Sequence, residues 1–120
     1  MGASRPVVLI VDDEPSLVDL LTAYLGDEFE TRSATSGPDA LDRLDESVAV
    51  VTLDRRMPGM SGDEVARRLR SNGWTGKILM VSAVAEPVAP DQPDWDEYLE
   101  KPVSKAEFRN AIVRLLERAA

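Results

Sequence analysis

Two apolar, β-branched runs that each stop on acid constrain this chain more than any other feature. Val7–Val11 runs into Asp12-Asp13-Glu14, and Val48–Leu53 runs into Asp54. Short continuous runs of this kind are strands covered on both faces, the habit of a parallel sheet. Each is followed by helix-starting chemistry. Pro15 suits a first helical turn, where its missing N–H costs nothing, and Ser61 with Glu64 forms a capping box.

The rest of the chain repeats the alternation. Leu17, Leu20, Leu21, Tyr24 and Leu25 recur at helical spacing and predict one apolar helix face, stopped at Gly26. Phe29–Ser33 alternates like a half-buried edge strand. Ser36-Gly-Pro-Asp39 opens a second helix with Ala40, Leu41 and Leu44 inward, and Val65, Ala66 and Leu69 face inward from a third, which ends at Asn72-Gly73. Lys77–Ser82 is a fourth strand, and Tyr98-Leu99 lies in a fifth that ends at Lys101-Pro102. Ser104 and Glu107 form another capping box before a last helix that buries Phe108, Ile112, Leu115 and Leu116. Strand–helix alternation of this regularity predicts one α/β domain over residues 1–120, with a doubly wound parallel sheet and right-handed crossovers.

One stretch breaks the pattern. Pro87, Pro90 and Pro93 stand at intervals of three, which leaves no room for continuous helical hydrogen bonding. Residues 84–94 are therefore expected to form an irregular crossover, with Trp95, Val84 and Val88 covering the sheet and Trp95 mostly buried.

Composition excludes several classes of function. The chain has 120 residues, no cysteine and a net charge of −8. It can hold neither a disulfide framework nor a thiolate metal site. Its acidity argues against gripping nucleic acid through a phosphate-neutralising patch. No apolar run approaches membrane-spanning length and no signal peptide is visible, so a cytoplasmic location is expected, with no membrane contact.

In such a sheet the loops after strands one, three, four and five open on one edge, where open α/β folds bind ligands. That edge receives Asp12, Asp13, Asp54, Ser82 and Lys101. Three clustered carboxylates repel one another. A hard divalent cation relieves the repulsion, and Mg²⁺ is commonly held by one or two carboxylates with phosphate and water. Taken singly, Asp12 and Asp13 could serve only the helix dipole, Lys101 could be a surface lysine and Ser82 could satisfy backbone. Their arrival from four strands on one edge favours a phosphate and Mg²⁺ site.

On these residues the chain resembles the receiver domains of two-component response regulators, over essentially its whole length. The likeness rests on Asp12-Asp13-Glu14, Asp54 with Met57-Pro58-Gly59, Ser82-Ala83, Tyr98 and Lys101-Pro102. The Asp-Arg-Arg-Met-Pro-Gly run and the stretch before Tyr98 look most like the HalX-type receivers of salt-loving archaea. The resemblance implies a flavodoxin-like strand order 2-1-3-4-5 with the fourth helix shortened or missing. It makes Asp54 the phosphoacceptor, and Asp12, Asp13, Asp54 and the backbone carbonyl of Arg56 the Mg²⁺ ligands. It further implies that Ser82 and Lys101 contact phosphate, that Tyr98 is the switch aromatic, and that Pro102 follows a cis peptide bond.

The implied donor is a phosphohistidine on a sensor histidine kinase or a histidine phosphotransfer protein. It must be another protein, because this chain has no histidine. An output domain or protein would read the switched surface. Receivers commonly pair through their fourth helix and the elements after it, so with that helix interrupted a weak homodimer is the most expected here. Arg55 and Arg56 depart from the family habit of an apolar residue after the acceptor. They would tune dephosphorylation or partner choice, or simply stand as a solvated pair.

Two other classes compete. A haloacid-dehalogenase-like Mg²⁺-dependent phosphatase also uses a strand-end aspartate, but needs a second aspartate where Arg56 stands. A flavodoxin-type binder wants Ser, Thr or Gly after the first strand, and the acidic run here would repel its phosphate. A degenerate receiver serving only protein interaction is the remaining alternative, and the complete acceptor set argues against it.

Overall fold

The central runs Val7–Val11, Val48–Leu53 and Lys77–Ser82 are almost wholly apolar and buried, and the more polar runs Glu30–Ala34 and Glu97–Glu100 pair at the two edges of the sheet. In the computed structural model, which describes residues 5–83 and 93–118, five strands form in the order β2-β1-β3-β4-β5, every neighbouring pair parallel. They are β1 (Val7–Val11), β2 (Glu30–Ala34), β3 (Val48–Leu53), β4 (Lys77–Ser82) and β5 (Glu97–Glu100). Among the described residues four helices follow them, α1 (Pro15–Leu25), α2 (Gly37–Arg43), α3 (Gly62–Ser71) and α4 (Lys105–Arg118). A 3₁₀ turn, Gly26–Glu28, continues α1.

Alternation along the strands divides the core into two layers. Val7, Leu9 and Val11 of β1 face Ala40 of α2 and Val65, Ala66 and Leu69 of α3. Val8 and Ile10 face the opposite way, against Val18, Leu21 and Leu25 of α1 and Phe108, Ile112 and Leu115 of α4. Both faces are thus wound, as the strand and helix patterns predict. The register of β1 on β3 shifts once, between Val7 and Val8, so that Val7 pairs with Val48 and Val8 with Val50.

The caps act where the sequence places them. Ser36 Oγ accepts from the Asp39 amide, and Ser61 Oγ from the Glu64 amide. The Ser104 box closes in both directions, with the Ser104 amide donating to Glu107 and the Glu107 amide donating to Ser104 Oγ.

Several local expectations shift. β2 begins at Glu30, one residue late, and buried Phe29 packs under α1. β3 spans Val48–Leu53 as expected and delivers Asp54 at its carboxyl end. Leu20 does not join the inward face of α1 but is 44% exposed, and Val18 takes the buried position. The inward arc of α1 is simply narrower than its apolar arc. Trp95 is half-buried rather than mostly buried, packed on the α2–α3 side of the core against Tyr98. Residues 84–92, which hold Val84, Val88 and most of the expected irregular crossover, lie outside the described residues.

Candidate functional site

The register that pairs Val11 with Leu53 sets the next residue of each strand side by side. Those residues are Asp12 and Asp54. The Asp54 amide donates to the Val11 carbonyl at 3.0 Å, and the Asp12 amide to the Ala34 carbonyl at 3.2 Å, so backbone pairing fixes both carboxylates before their side chains meet anything. Ser82 closes β4, the neighbour of β3, and is buried. Its carbonyl accepts from the Lys101 amide at 2.8 Å, which brings the lysine to the same edge. The Lys101–Pro102 peptide bond that follows is cis.

Asp12 is 1% and Asp54 7% exposed, an unusual degree of burial for carboxylates. Asp12 uses both its oxygens. One accepts from the Glu14 amide at 2.9 Å, and the other from Lys101 Nζ at 2.7 Å. Lys101 Nζ also lies 3.6 Å from Asp54 Oδ1, an ion pair but longer than a hydrogen bond. The lysine therefore sits between the two acids and leans toward Asp12. Asp13 is only half-buried, yet Asp12, Asp13 and Asp54 each offer an oxygen within 4.8 Å of the others'.

One lysine among three acids leaves the cluster short of positive charge. The Asp54 carboxyl responds by moving up from 3.8 to about 6. Burial is the main cause, since it disfavours the charged form; Lys101 opposes it, Asp12 adds to it, an amide bond from Arg56 opposes it and Asp13 adds to it. The donor set is oxygen only, carboxylate-rich and electron-hard, and so fits a hard divalent cation.

The two arginines after Asp54 part company. Arg56 is exposed. Arg55 turns away from the acids, and its Nε donates to Asp63 in the first turn of α3 at 2.8 Å. Its guanidinium carbon lies 5.9 Å from the ring centroid of Tyr98 in β5. The solvated-pair reading therefore fails for Arg55.

Two positions escaped sequence reasoning. A Cβ at Gly62 would lie 2.3 Å from the Asp54 carbonyl oxygen and 3.0 Å from Arg55 Cα, so α3 can start this close to the acceptor loop only on glycine. The Gly62 amide donates to the Arg55 carbonyl at 2.9 Å. The Gly that follows a Ser cap is the only signal, and many caps carry one. Arg70 clips the far end of the molecule, donating to the carbonyls of Asp94, Trp74 and Gly76 and to the Asp96 carboxylate. Nothing local announces that role.

The response regulator receiver domain family matches residues 8–113. The chain is 40% identical over 118 residues to a Haloferax volcanii protein provisionally named a transcriptional regulator, covering 98% of this chain and 20% of that one. It is 38% identical over 115 residues to the sensory transduction protein RegX3 of Mycobacterium tuberculosis, covering 92% of this chain and 51% of that one. It thus spans a fifth to a half of the length of these relatives. Among solved structures it resembles the Thermotoga maritima response regulator TrrA in complex with Mg²⁺ and BeF, at 32% identity and a TM-score of 0.83, covering 93% of this chain and all of that one.

Proposed function

The chain belongs to the receiver-domain family of two-component response regulators, and from that premise we propose that Asp54 is its phosphoacceptor. The observation that carries the reading is the meeting of Asp54 with Asp12, Asp13 and Lys101 at the carboxyl edge of the sheet. The donor is the phosphohistidine of a sensor histidine kinase or of a histidine phosphotransfer protein. An Asp54 oxygen attacks phosphorus, a P–O bond forms, the P–N bond breaks and its electron pair returns to the imidazole.

Asp12, Asp13, Asp54 and the backbone carbonyl of Arg56 would hold Mg²⁺, which would supply positive charge to offset the phosphoryl oxygens. Lys101, already 3.6 Å from Asp54, gives a second cation for the phosphate. Ser82, at the end of β4, donates its hydroxyl to a phosphoryl oxygen, and Tyr98 carries the change to the surface. Asp12 keeps Lys101 and the α1 entry in place through its two hydrogen bonds. At neutral pH an acid with a pKa of about 6 is mostly ionised, so the nucleophile is available.

The domain assists its own phosphorylation and occupies residues 1–120 as a single receiver, working in the cytoplasm. No described helix is long and apolar enough to cross a membrane. The output it controls belongs to a further domain or a separate protein. Incubation with a small acyl-phosphate donor and Mg²⁺, followed by mass spectrometry, tests the assignment. Phosphate is expected on Asp54 alone, and none on Asp54→Asn. Uptake by that variant at the wild-type rate would end the assignment.

A further inference from the structure

We propose that Arg55 is a positioning residue that couples the Asp54 loop mechanically to Tyr98. The inference rests on the reading of Asp54 as acceptor and Tyr98 as switch aromatic. It adds the physical link between them, which neither the strand order nor the acceptor geometry supplies.

Arg55 is gripped at both ends. Its backbone follows Asp54 directly, and its carbonyl accepts from the Gly62 amide at 2.9 Å. No side chain at position 62 separates that amide from the loop, because only glycine fits there. The side chain then crosses toward β5, with only 23% of it exposed. Its guanidinium is anchored by Asp63 at 2.8 Å and lies 5.9 Å from the centre of the Tyr98 ring. Tyr98 in turn meets Trp95, with ring centroids 5.4 Å apart and planes at 55°. One continuous path therefore runs from the acceptor backbone through a held cation to a pair of aromatic rings.

A planar guanidinium suits this task. Its several in-plane donors can hold the Asp63 carboxylate and engage the Tyr98 side chain at once and in fixed directions, where an ammonium is a compact point charge. A shift of the acceptor backbone moves Cα of Arg55, and the Asp63 anchor turns that movement into displacement against Tyr98. The structure shows one arrangement of this contact chain, and the coupling requires a second one when the acceptor site is filled, which is what the experiment reads.

The protein contains two tyrosines, and Tyr24 lies elsewhere, with its hydroxyl donating to the Val103 carbonyl. Incorporation of 3-fluorotyrosine therefore gives two ¹⁹F lines, assigned with Tyr24→Phe, in which Tyr24 serves as an internal control. Beryllofluoride with Mg²⁺ is the probe, and its own bound ¹⁹F signal reports occupancy in the same spectrum. In the wild type, saturation is expected to move the Tyr98 line well beyond any change in the Tyr24 line, whose ring packs on the other face of the sheet.

In Arg55→Ala the probe should bind to the same stoichiometry while the Tyr98 displacement falls to half or less. Asp63→Asn keeps the cation on the ring but loosens its anchor, and should give a displacement between the two. A full wild-type displacement in Arg55→Ala overturns the coupling while leaving the acceptor site intact. A wild type that binds the probe without moving the Tyr98 line overturns the switch role and the coupling with it. Failure of the wild type to bind the probe at all overturns the reading of the site.

Discussion

Replacing Asp54 by asparagine should make the metal-free protein more stable, not less. The carboxyl is 7% exposed, and its pKa rises from 3.8 to about 6 on folding. The sign follows from proton binding. Between those two values the folded state holds a proton that the unfolded chain has released, so stability falls as pH rises through the window. Above about pH 6 the ionised carboxylate imposes its full cost. A rise of about two units at about 1.4 kcal/mol per unit bounds that cost at about 3 kcal/mol. Asparagine keeps the shape and an acceptor for the Arg56 amide, but its NH₂ also needs a partner, which lowers the expected gain to about 2 kcal/mol. Urea unfolding with a chelator present, followed by far-UV circular dichroism, measures the difference. The gain should be complete at pH 7.5, shrink as pH falls below about 6 and give way to a loss of about 1 kcal/mol well below pH 3.8, where the wild-type carboxyl is protonated in both states and only the unpaired asparagine NH₂ still counts. A gain independent of pH, or a loss of stability at pH 7.5, would refute burial as the cause of the shift.

Two further outcomes follow from packing. Gly62→Ala should cost about 2 kcal/mol, because its Cβ meets the Asp54 carbonyl and the loop backbone must move; it should also slow phosphorylation from an acyl-phosphate donor, and a variant with wild-type stability and rate would show that the close approach is not needed. Arg70→Ala should cost about 2 kcal/mol in urea unfolding, since it removes bonds to three carbonyls and a carboxylate, and Arg70→Lys should recover little because a point cation cannot span them.

What the sequence determined by itself was local or periodic. The β-branched runs, the serine caps at 36, 61 and 104 and the helical spacing of Val65, Ala66 and Leu69 are short-range signals, and the strands and helices formed where they lie. With the alternation of strand and helix, they imply a doubly wound sheet that carries Asp12, Asp54, Ser82 and Lys101 to one edge. The resemblance carried by the same residues supplied the strand order. Tertiary structure decided what depends on register and on the direction of long side chains. Lys101 and Asp12 are 89 positions apart, and no pattern says that the lysine bonds Asp12 at 2.7 Å while standing 3.6 Å from Asp54. The apolar spacing of α1 includes Leu20, but only packing shows that the helix turns Val18 inward and leaves Leu20 in water. Arg55 and Arg56 are identical residues in adjacent positions. One is held by Asp63 and Tyr98 while the other stays exposed, because neighbouring positions in a loop point in different directions and only the partners that folding brings there distinguish them.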